Sequence, residues 1–336
     1  MRIHVFGSLV CELLVDAGIS LAKDGMPTKT VCPIRPAHGG GALNVAAAAQ
    51  EYGAKVDLTL MVGNDAQGDQ AVVELSERFA SVRAMPVLRH TRNSVCFRCG
   101  QIYASPAERI RPVWDAALER SVRSARLTVV TPLPASERPL VQQLLATANR
   151  ALFMPSGEQI KDVRSFINLA NLGQNSITTI CNDAEARLAI NDSQAEPFDV
   201  IHALREEGLR SRIIITSRLG AMLWEPQRGY FWYPALSGGN VIRTIGAGDR
   251  ASGLFAAAVL HGLDLQDALA ASQIEAGRHV RNLPKLGSLT DLLAWGKAQS
   301  VVNLAEKKPA SGSRFAIATG LAAAASALLA AVVFPF

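Results

Sequence analysis

Several features are scarce in this chain, and each scarcity removes a class. Aromatic residues are 6% of the 336 positions, and Lys and Arg are scattered, for a net charge of only +5. A nucleic-acid binder would show a basic face with interleaved aromatics, and none is present. No GxxxxGK[ST] run occurs and no GxGxxG follows a strand, so P-loop and Rossmann dinucleotide readings lack support. The five cysteines are Cys11, Cys32, Cys96, Cys99 and Cys181. No export signal precedes them. The opening "MRIHVFGSLV" reads as a strand running into a Gly-Ser turn, without a small-residue cleavage site. A reducing, cytoplasmic setting is the expectation. "CFRC" has redox or half-zinc spacing, yet no second Cys pair or His-x-x-x-His follows. Two free thiols on a strand pair are therefore expected. Internal repeats are absent.

What is present is an ordinary globular composition, 49% hydrophobic and 19% charged. Apolar strands alternate with amphipathic helices. "ALNVAAAAQEYG" reads as a helix ended by Gly53, and "AKVDLTLMVG" as the next strand. "ARLTVVTP", "RALFMP", "SITTICN" and "SRIIITS" read as buried strands. The alternation predicts a doubly wound, mainly parallel sheet with helices on both faces. Residues 91–104 break the rhythm and read as a small strand pair or flap. Residues 220–233 read as a hairpin turning at "PQRG".

The chain changes character near its end. Residues 299–314 form a polar linker containing "EKKPASGSR", and 315–336 carry no charge. About 20 uncharged apolar residues are long enough to span a bilayer as a helix. Lys307, Lys308 and Arg314 flank the N-terminal side, as for a tail anchored from the cytoplasm. The other reading is an Ala-rich helix packed on the domain or left loose. Either way the tail has no reactive side chain.

The chemistry is sought elsewhere. "VIRTIGAGDRASGLFAAA" sets Gly246, Ala247 and Gly248 directly before Asp249, at the start of a helical run. Bare backbone and unpaired N–H groups at a helix start make an anion site. A carboxylate there would repel an anion unless it takes a proton from a hydroxyl that attacks a phosphate. The alternative is an Asp capping a helix after a Gly-rich turn.

A second stretch, "PAHGGGALNVAAAAQEYGAKVDLTLMVGNDAQGD", places Gly39 and Gly40 before a helix with Asn44 in its first turn. With "VGNDAQGD" and "TIGAGD" in this order, the chain resembles the ribokinase, or pfkB, family of carbohydrate kinases over roughly residues 1–298. "CNDAEA" adds the family's Asn-x-x-Glu arrangement as Asn182 and Glu185. Read alone, those two are an N-cap and a capping box, and both roles are compatible.

The resemblance implies a ribokinase-like α/β fold with a β lid near 91–104, plus the C-terminal apolar helix. It implies MgATP-dependent phosphorylation of a hydroxymethyl group on a sugar, sugar acid or nucleoside. It casts Asp249 as general base and the N–H groups of Gly246, Ala247 and Gly248 as the anion hole. Glu12, Gly39, Gly40 and Asn44 would bind the acceptor. Asn182, Thr216, Gly220 and Thr244 would line the nucleotide side, with Asn182 and Glu185 supporting Mg²⁺ through water. Glu12 stands where relatives use Asp. A homodimer is a further expectation, since some relatives pair through the lid.

Three departures stand out. Arg243 occupies the Asp position that opens the second motif, which puts a monovalent-cation site in doubt; its guanidinium would replace the ion's charge. Arg218 replaces a residue of the nucleotide-side turn, which is one residue short. The flap is shorter than the family's usual lid. Arg243, Arg218 and the tail also fit a second reading, a catalytically weak, membrane-tethered sugar- or nucleoside-binding protein. An oxidoreductase would need a dinucleotide fingerprint. His38, beside the glycines, is expected to be incidental, His261 and His279 to be surface or packed, and Trp224 and Trp232 to pack the hairpin.

Overall fold

The computed structural model describes residues 2–15, 34–79, 81–97, 102–106, 108–111, 113–173, 176–235, 241–242, 244–283, 287–292 and 302–304. Arg243, Cys32, Cys99, most of the linker and the 315–336 tail lie outside them. Among the described residues no helix is long and apolar enough to cross a membrane.

The strands are β1 (Arg2–Ser8), β2 (Val10–Val15), β3 (Ile34–Gly39), β4 (Lys55–Gly63), β5 (Val82–Leu88), β6 (Arg92–Phe97), β7 (Ile102–Ala104), β8 (Leu127–Val130), β9 (Ala151–Phe153), β10 (Ile177–Asn182), β11 (Arg212–Ser217), β12 (Gly220–Glu225), β13 (Gly229–Pro234) and β14 (Val302–Leu304). The helices are α1 (Gly41–Glu51), α2 (Ala66–Arg78), α3 (Ala116–Ser124), α4 (Arg138–Thr147), α5 (Gly157–Lys161), α6 (Val163–Ala170), α7 (Asp183–Ile190), α8 (Pro197–Glu206), α9 (Ala247–Leu260) and α10 (Leu265–Val280).

A ten-stranded sheet runs β14-β13-β12-β11-β10-β9-β8-β1-β4-β5. From β5 to β11 every pairing is parallel. The β12–β13 hairpin and β14 continue the sheet antiparallel. Strands buried on both faces must be apolar throughout, which is why "LTVV" and "RIIITS" show no alternation. Helices cover both faces. Leu43 and Val45 of α1, Leu254 of α9 and Leu269 of α10 pack with Ile3, Val5, Leu58 and Leu60. Leu118, Leu144, Phe166 and Ile201, from α3, α4, α6 and α8, pack with Phe6, Val130, Phe153 and Ile213. Trp224 is buried and Trp232 packs on the same layer, as expected for the hairpin.

From β1 the chain moves outward through β4 and β5, then returns to start β8 on the other side. This reversal of strand order opens a crevice at the carboxyl ends of β1 and β8. Helices α1 and α9 run close enough to touch backbones. A Cβ on Gly253 of α9 would lie 2.3 Å from the Val45 carbonyl oxygen and 2.8 Å from the Ala48 Cβ.

The lid is larger than the flap read from the sequence. It is a four-stranded sheet, β3-β2-β6-β7. The N-terminal stretch, read as one strand ending in a turn, leaves the main sheet at Leu9 and continues as β2. Six residues of β2 pair parallel with β6, and β3 pairs antiparallel on β2's other side. A lone ribbon at 91–104 would have been marginal, and two further strands complete it.

The "VGNDAQGD" motif is the joint that holds the lid. Asp65 caps α2, accepting from the Gly68 N–H at 2.9 Å. The same carboxylate accepts from the Thr91 N–H at 2.8 Å and the Thr91 hydroxyl at 2.6 Å, at the entry to β6. Partial burial raises its pKa, but these donors outweigh burial and the carboxyl titrates below its ordinary value. Asp65→Ala is expected to lower unfolding stability by about 2 kcal/mol, read from urea midpoints. The depressed pKa puts that contribution above the unfolded carboxyl's range, to be lost as pH falls below it.

Candidate active site

Two helix N-termini meet at the crevice. Helix α1 is capped by Gly40 at φ +93, where a Cβ would sit 2.9 Å from the Ser8 carbonyl oxygen. Only glycine takes that backbone shape at low cost. Helix α9 is capped by Gly246 in the left-handed region, at φ +78. The first N–H groups of each helix have no intrahelical acceptor, and the helix dipole adds positive potential there. At α9 the Ala247 N–H turns back to the Thr244 carbonyl at 3.2 Å. Of the three N–H groups expected to form the anion hole, Ala247's is thus already engaged. Around Gly248 a Cβ would meet nothing within 4 Å, so the approach to the turn is open.

Asp249 stands half-buried in the first turn of α9. Its Oδ2 accepts from Asn44 Nδ2 at 3.2 Å, so the two sequence motifs, 205 residues apart, touch. Burial pushes the Asp249 carboxyl up, and the Asn44 hydrogen bond only partly offsets that. Gly41, the third glycine of "GGG", makes room for it: a Cβ there would be 3.2 Å from Asp249 Oδ1.

Glu12 reaches the same place from the lid strand β2. Its Oε1 accepts from the Gly40 N–H at 3.1 Å, and its carboxyl fills the space a Gly39 side chain would need. Burial raises the Glu12 carboxyl, the Gly40 N–H lowers it, and the charge of Asp249 raises it further. Glu185 is shifted upward too, first by burial and also by Asp249. Glu12, Glu185 and Asp249 therefore share one electrostatic neighbourhood.

Asn182 and Glu185 form the expected capping box of α7. Asn182 Oδ1 accepts from the Glu185 N–H at 2.8 Å, and Glu185 Oε2 from the Asn182 N–H at 3.1 Å. Thr216 closes β11 and donates to the Cys181 carbonyl at 3.3 Å. Gly220 is buried at φ +149, where a Cβ would be 2.1 Å from the Tyr233 carbonyl oxygen, so the hairpin accounts for this glycine. Thr244 is exposed beside the α9 turn, and Arg218 is exposed beyond β11.

His38 and His279 have partners near the two helix N-termini. His38 Nε2 lies 2.7 Å from Glu74 and holds β3 to α2. His279 Nε2–H donates to the Ile245 carbonyl at 2.8 Å and so fixes the turn before Asp249. Nothing in the sequence pointed to that contact, which spans 34 residues. Behind the turn, Arg250 pairs with both Glu51 and Glu275, and Glu275 also bonds Arg278 and Tyr52.

The fold and cleft define an α/β protein with two facing helix N-termini and one carboxylate between them. The profile of the pfkB family carbohydrate kinases matches residues 21–276. The chain belongs to the pfkB family of carbohydrate kinases. Its fold is that of Arabidopsis thaliana ribokinase solved with ribose and ATP, at 16% identity and a TM-score of 0.68, covering 88% of this chain and 98% of that one. A Burkholderia thailandensis nucleoside kinase solved with inosine is similar over 88% of this chain and 98% of its own, at 18% identity and a TM-score of 0.64. Phosphofructokinase-2 from Escherichia coli, solved with potassium, matches at 19% identity and a TM-score of 0.66, over 88% of this chain and 99% of that chain. No curated protein sequence matches the chain.

Proposed function

We propose that this protein transfers the γ-phosphoryl group of ATP to a hydroxymethyl group of a sugar, sugar acid or nucleoside. One observation carries the reading: Asp249 sits at the open N-terminus of α9 with its carboxylate oriented by Asn44. Asp249 takes the proton of the attacking hydroxyl. Its raised pKa makes it a better proton acceptor than an exposed Asp. The free first-turn N–H groups of α9, with Gly248 open to solvent, face the charge that builds on the transferring phosphoryl. Glu12, Gly40 and Asn44 hold the acceptor's hydroxyls; carboxylate and amide oxygens suit polyols.

Mg²⁺ fits the donor set. It favours oxygen and keeps several waters. Glu185 commits Oε2 to the capping box, which leaves Oε1 for a metal-bound water. When bound, the ion neutralises phosphate charge. We place the reaction in the cytoplasm, with the described cysteines Cys11, Cys96 and Cys181 as free thiols.

The test is acceptor-dependent ADP formation by the full chain with MgATP, across pentoses, hexoses, sugar acids and nucleosides. Turnover with one class is expected. Binding of an acceptor without turnover would move the assignment to a sugar- or nucleoside-binding protein.

A further inference from the structure

Basic residues scattered along the sequence gather in the fold at one edge of the large sheet. Its parallel strands all run the same way, so their first residues share an edge and their carboxyl ends form the opposite one, where the crevice lies. Arg2 opens β1, Lys55 opens β4 and Arg212 opens β11, while Arg126 and Arg150 stand immediately before β8 and β9. Strand β12 runs antiparallel and brings Glu225 beside Arg212, which puts Arg228 of the β12–β13 turn at the same edge. At a strand spacing of about 4.8 Å, the row from Arg2 to Arg228 is about 25–30 Å long, and the length of β1 sets it about 20 Å from the crevice.

The row keeps a surplus of positive charge. Arg2, Lys55, Arg126, Arg150, Arg210 and Arg228 are exposed. Asp57 pairs with Arg2 at 3.3 Å. Glu225 is buried and serves both Arg212, at 3.5 Å, and Arg228, at 3.0 Å, so that trio retains one positive charge. Arg210 follows α8, which closes on Glu206 and Glu207, but it bonds only the Arg205 and Leu209 carbonyls. Among the described residues no carboxylate lies within 4 Å of Arg150 or Arg210. Burial and the neighbouring Arg212 charge both lower the Arg150 pKa, as expected where like charges crowd. Trp224 and Tyr230, at the turn end of the hairpin, are buried and so are not offered to stacking bases.

The chain leaves the sheet at this edge. Strand β14 pairs antiparallel with β13, Val302 opposite Trp232 and Leu304 opposite Tyr230, so it runs toward the arginine row. The sequence continues with Lys307, Lys308 and Arg314 and then the uncharged 315–336. Residues 305–314 reach at most about 35 Å, so the uncharged stretch begins within that distance of the row. We infer that the arginine edge is a docking surface for an anionic phospholipid bilayer, with 315–336 the segment that enters it and the crevice facing away. Each basic residue brought to an anionic leaflet strengthens binding about fivefold, over roughly a Debye length. The tail supplies attachment and the edge supplies orientation. The acceptor side stays open to water.

The experiment is flotation of the full chain with phosphatidylcholine vesicles, with and without phosphatidylglycerol, at low and high salt. The native chain is expected to float with both vesicle types at both salts. Leu328→Arg with Leu329→Arg puts charge into the tail and leaves the edge to bind alone. That variant should float with the anionic vesicles at low salt and be released at high salt. Adding Arg150→Gln and Arg210→Gln should weaken its binding about 25-fold, while Arg150→Lys with Arg210→Lys should keep it. Thermal midpoints establish that each variant is folded. Hydrogen exchange of the native chain on anionic vesicles should slow at 148–150, 208–212 and 226–229 and stay unchanged at 40–44 and 246–249. A native chain that fails to float, tail-variant binding that is equal on neutral vesicles or indifferent to the two arginines, or slowed exchange on the crevice side would overturn the inference. Tighter binding of the tail variant to duplex DNA than to anionic vesicles would overturn it in favour of a nucleic-acid surface. None of these readouts uses turnover, so the kinase reading stands or falls separately.

Discussion

Asp249→Asn is expected to lower kcat by about 10²- to 10⁴-fold, the usual contribution of a positioned general base. The substitution keeps size and helix position. It removes the proton acceptor, and the Asn44 amide then faces another amide in place of a carboxylate. The acid side of the native pH profile tests the same group. The base works deprotonated, and burial raises its pKa above the ordinary Asp value of 3.8. Activity should therefore rise with pH through a window above the usual carboxylate range, and Asp249→Asn should lose that limb. Stability should move the opposite way. An acid whose pKa is raised by folding binds its proton more tightly in the native state. Stability contributed by it is therefore lost as pH rises through that window. At neutral pH the Asn variant should show a higher thermal midpoint than the native chain, as where function holds a carboxylate in an unfavourable place. A midpoint equal to or below the native one, with activity retained, would contradict both halves.

The second large effect is on folding. Glu275 of α10 is fully buried. Its Oε2 accepts from the Tyr52 hydroxyl at 2.7 Å and from Arg278 Nε at 2.7 Å. Its Oε1 accepts from Arg250 Nε at 2.8 Å and from Arg278 Nη2 at 2.6 Å. Burial alone would raise the Glu275 pKa, but these donors outweigh it and hold the carboxyl below its ordinary value. Glu275→Ala is expected to cost about 3–5 kcal/mol of unfolding free energy, because two guanidinium groups lose their shared counter-charge. Replacing Glu275, Arg250 and Arg278 together with Leu or Met should cost less than the single change, since no buried charge is then stranded. Denaturant midpoints measure both. The native contribution is present above the unfolded Glu range and declines as pH falls below it. Arg250 follows Asp249 in the chain, so Glu275→Gln should also reduce turnover in protein that remains folded.

Much of this was legible in the residues. The strand–helix alternation predicted the sheet, and the two glycine clusters predicted the two helix N-termini. The contact between Asn44 and Asp249 was not legible, because no local pattern links positions 205 residues apart. The lid was underestimated for a physical reason. β1 and β2 are both apolar and only Leu9 lies between them, so a change of sheet left no mark in composition. Glycines proved ambiguous. Gly40 and Gly246 serve the site through their backbone angles, whereas Gly220 serves the hairpin. The contact of His279 with the Ile245 carbonyl depends on tertiary placement and has no short-range signal. The expectations for Arg243 and for 315–336 fall outside the described residues.

The backbone contact at Gly253 carries a mechanical meaning. With α1 and α9 pressed together there, the N-terminus carrying Gly40 and Asn44 and the one carrying Asp249 are two ends of a single rigid frame. On the proposed function, an acceptor side at Gly40 and Asn44 and a phosphoryl side at Asp249 would keep a constant spacing. The other link runs along β2, where Glu12 belongs to the four-stranded sheet yet rests on Gly40. On the proposed function, an acceptor that displaces or recruits Glu12 would push on the β3-β2-β6-β7 sheet itself, so that substrate entry would be felt at both ends of β2.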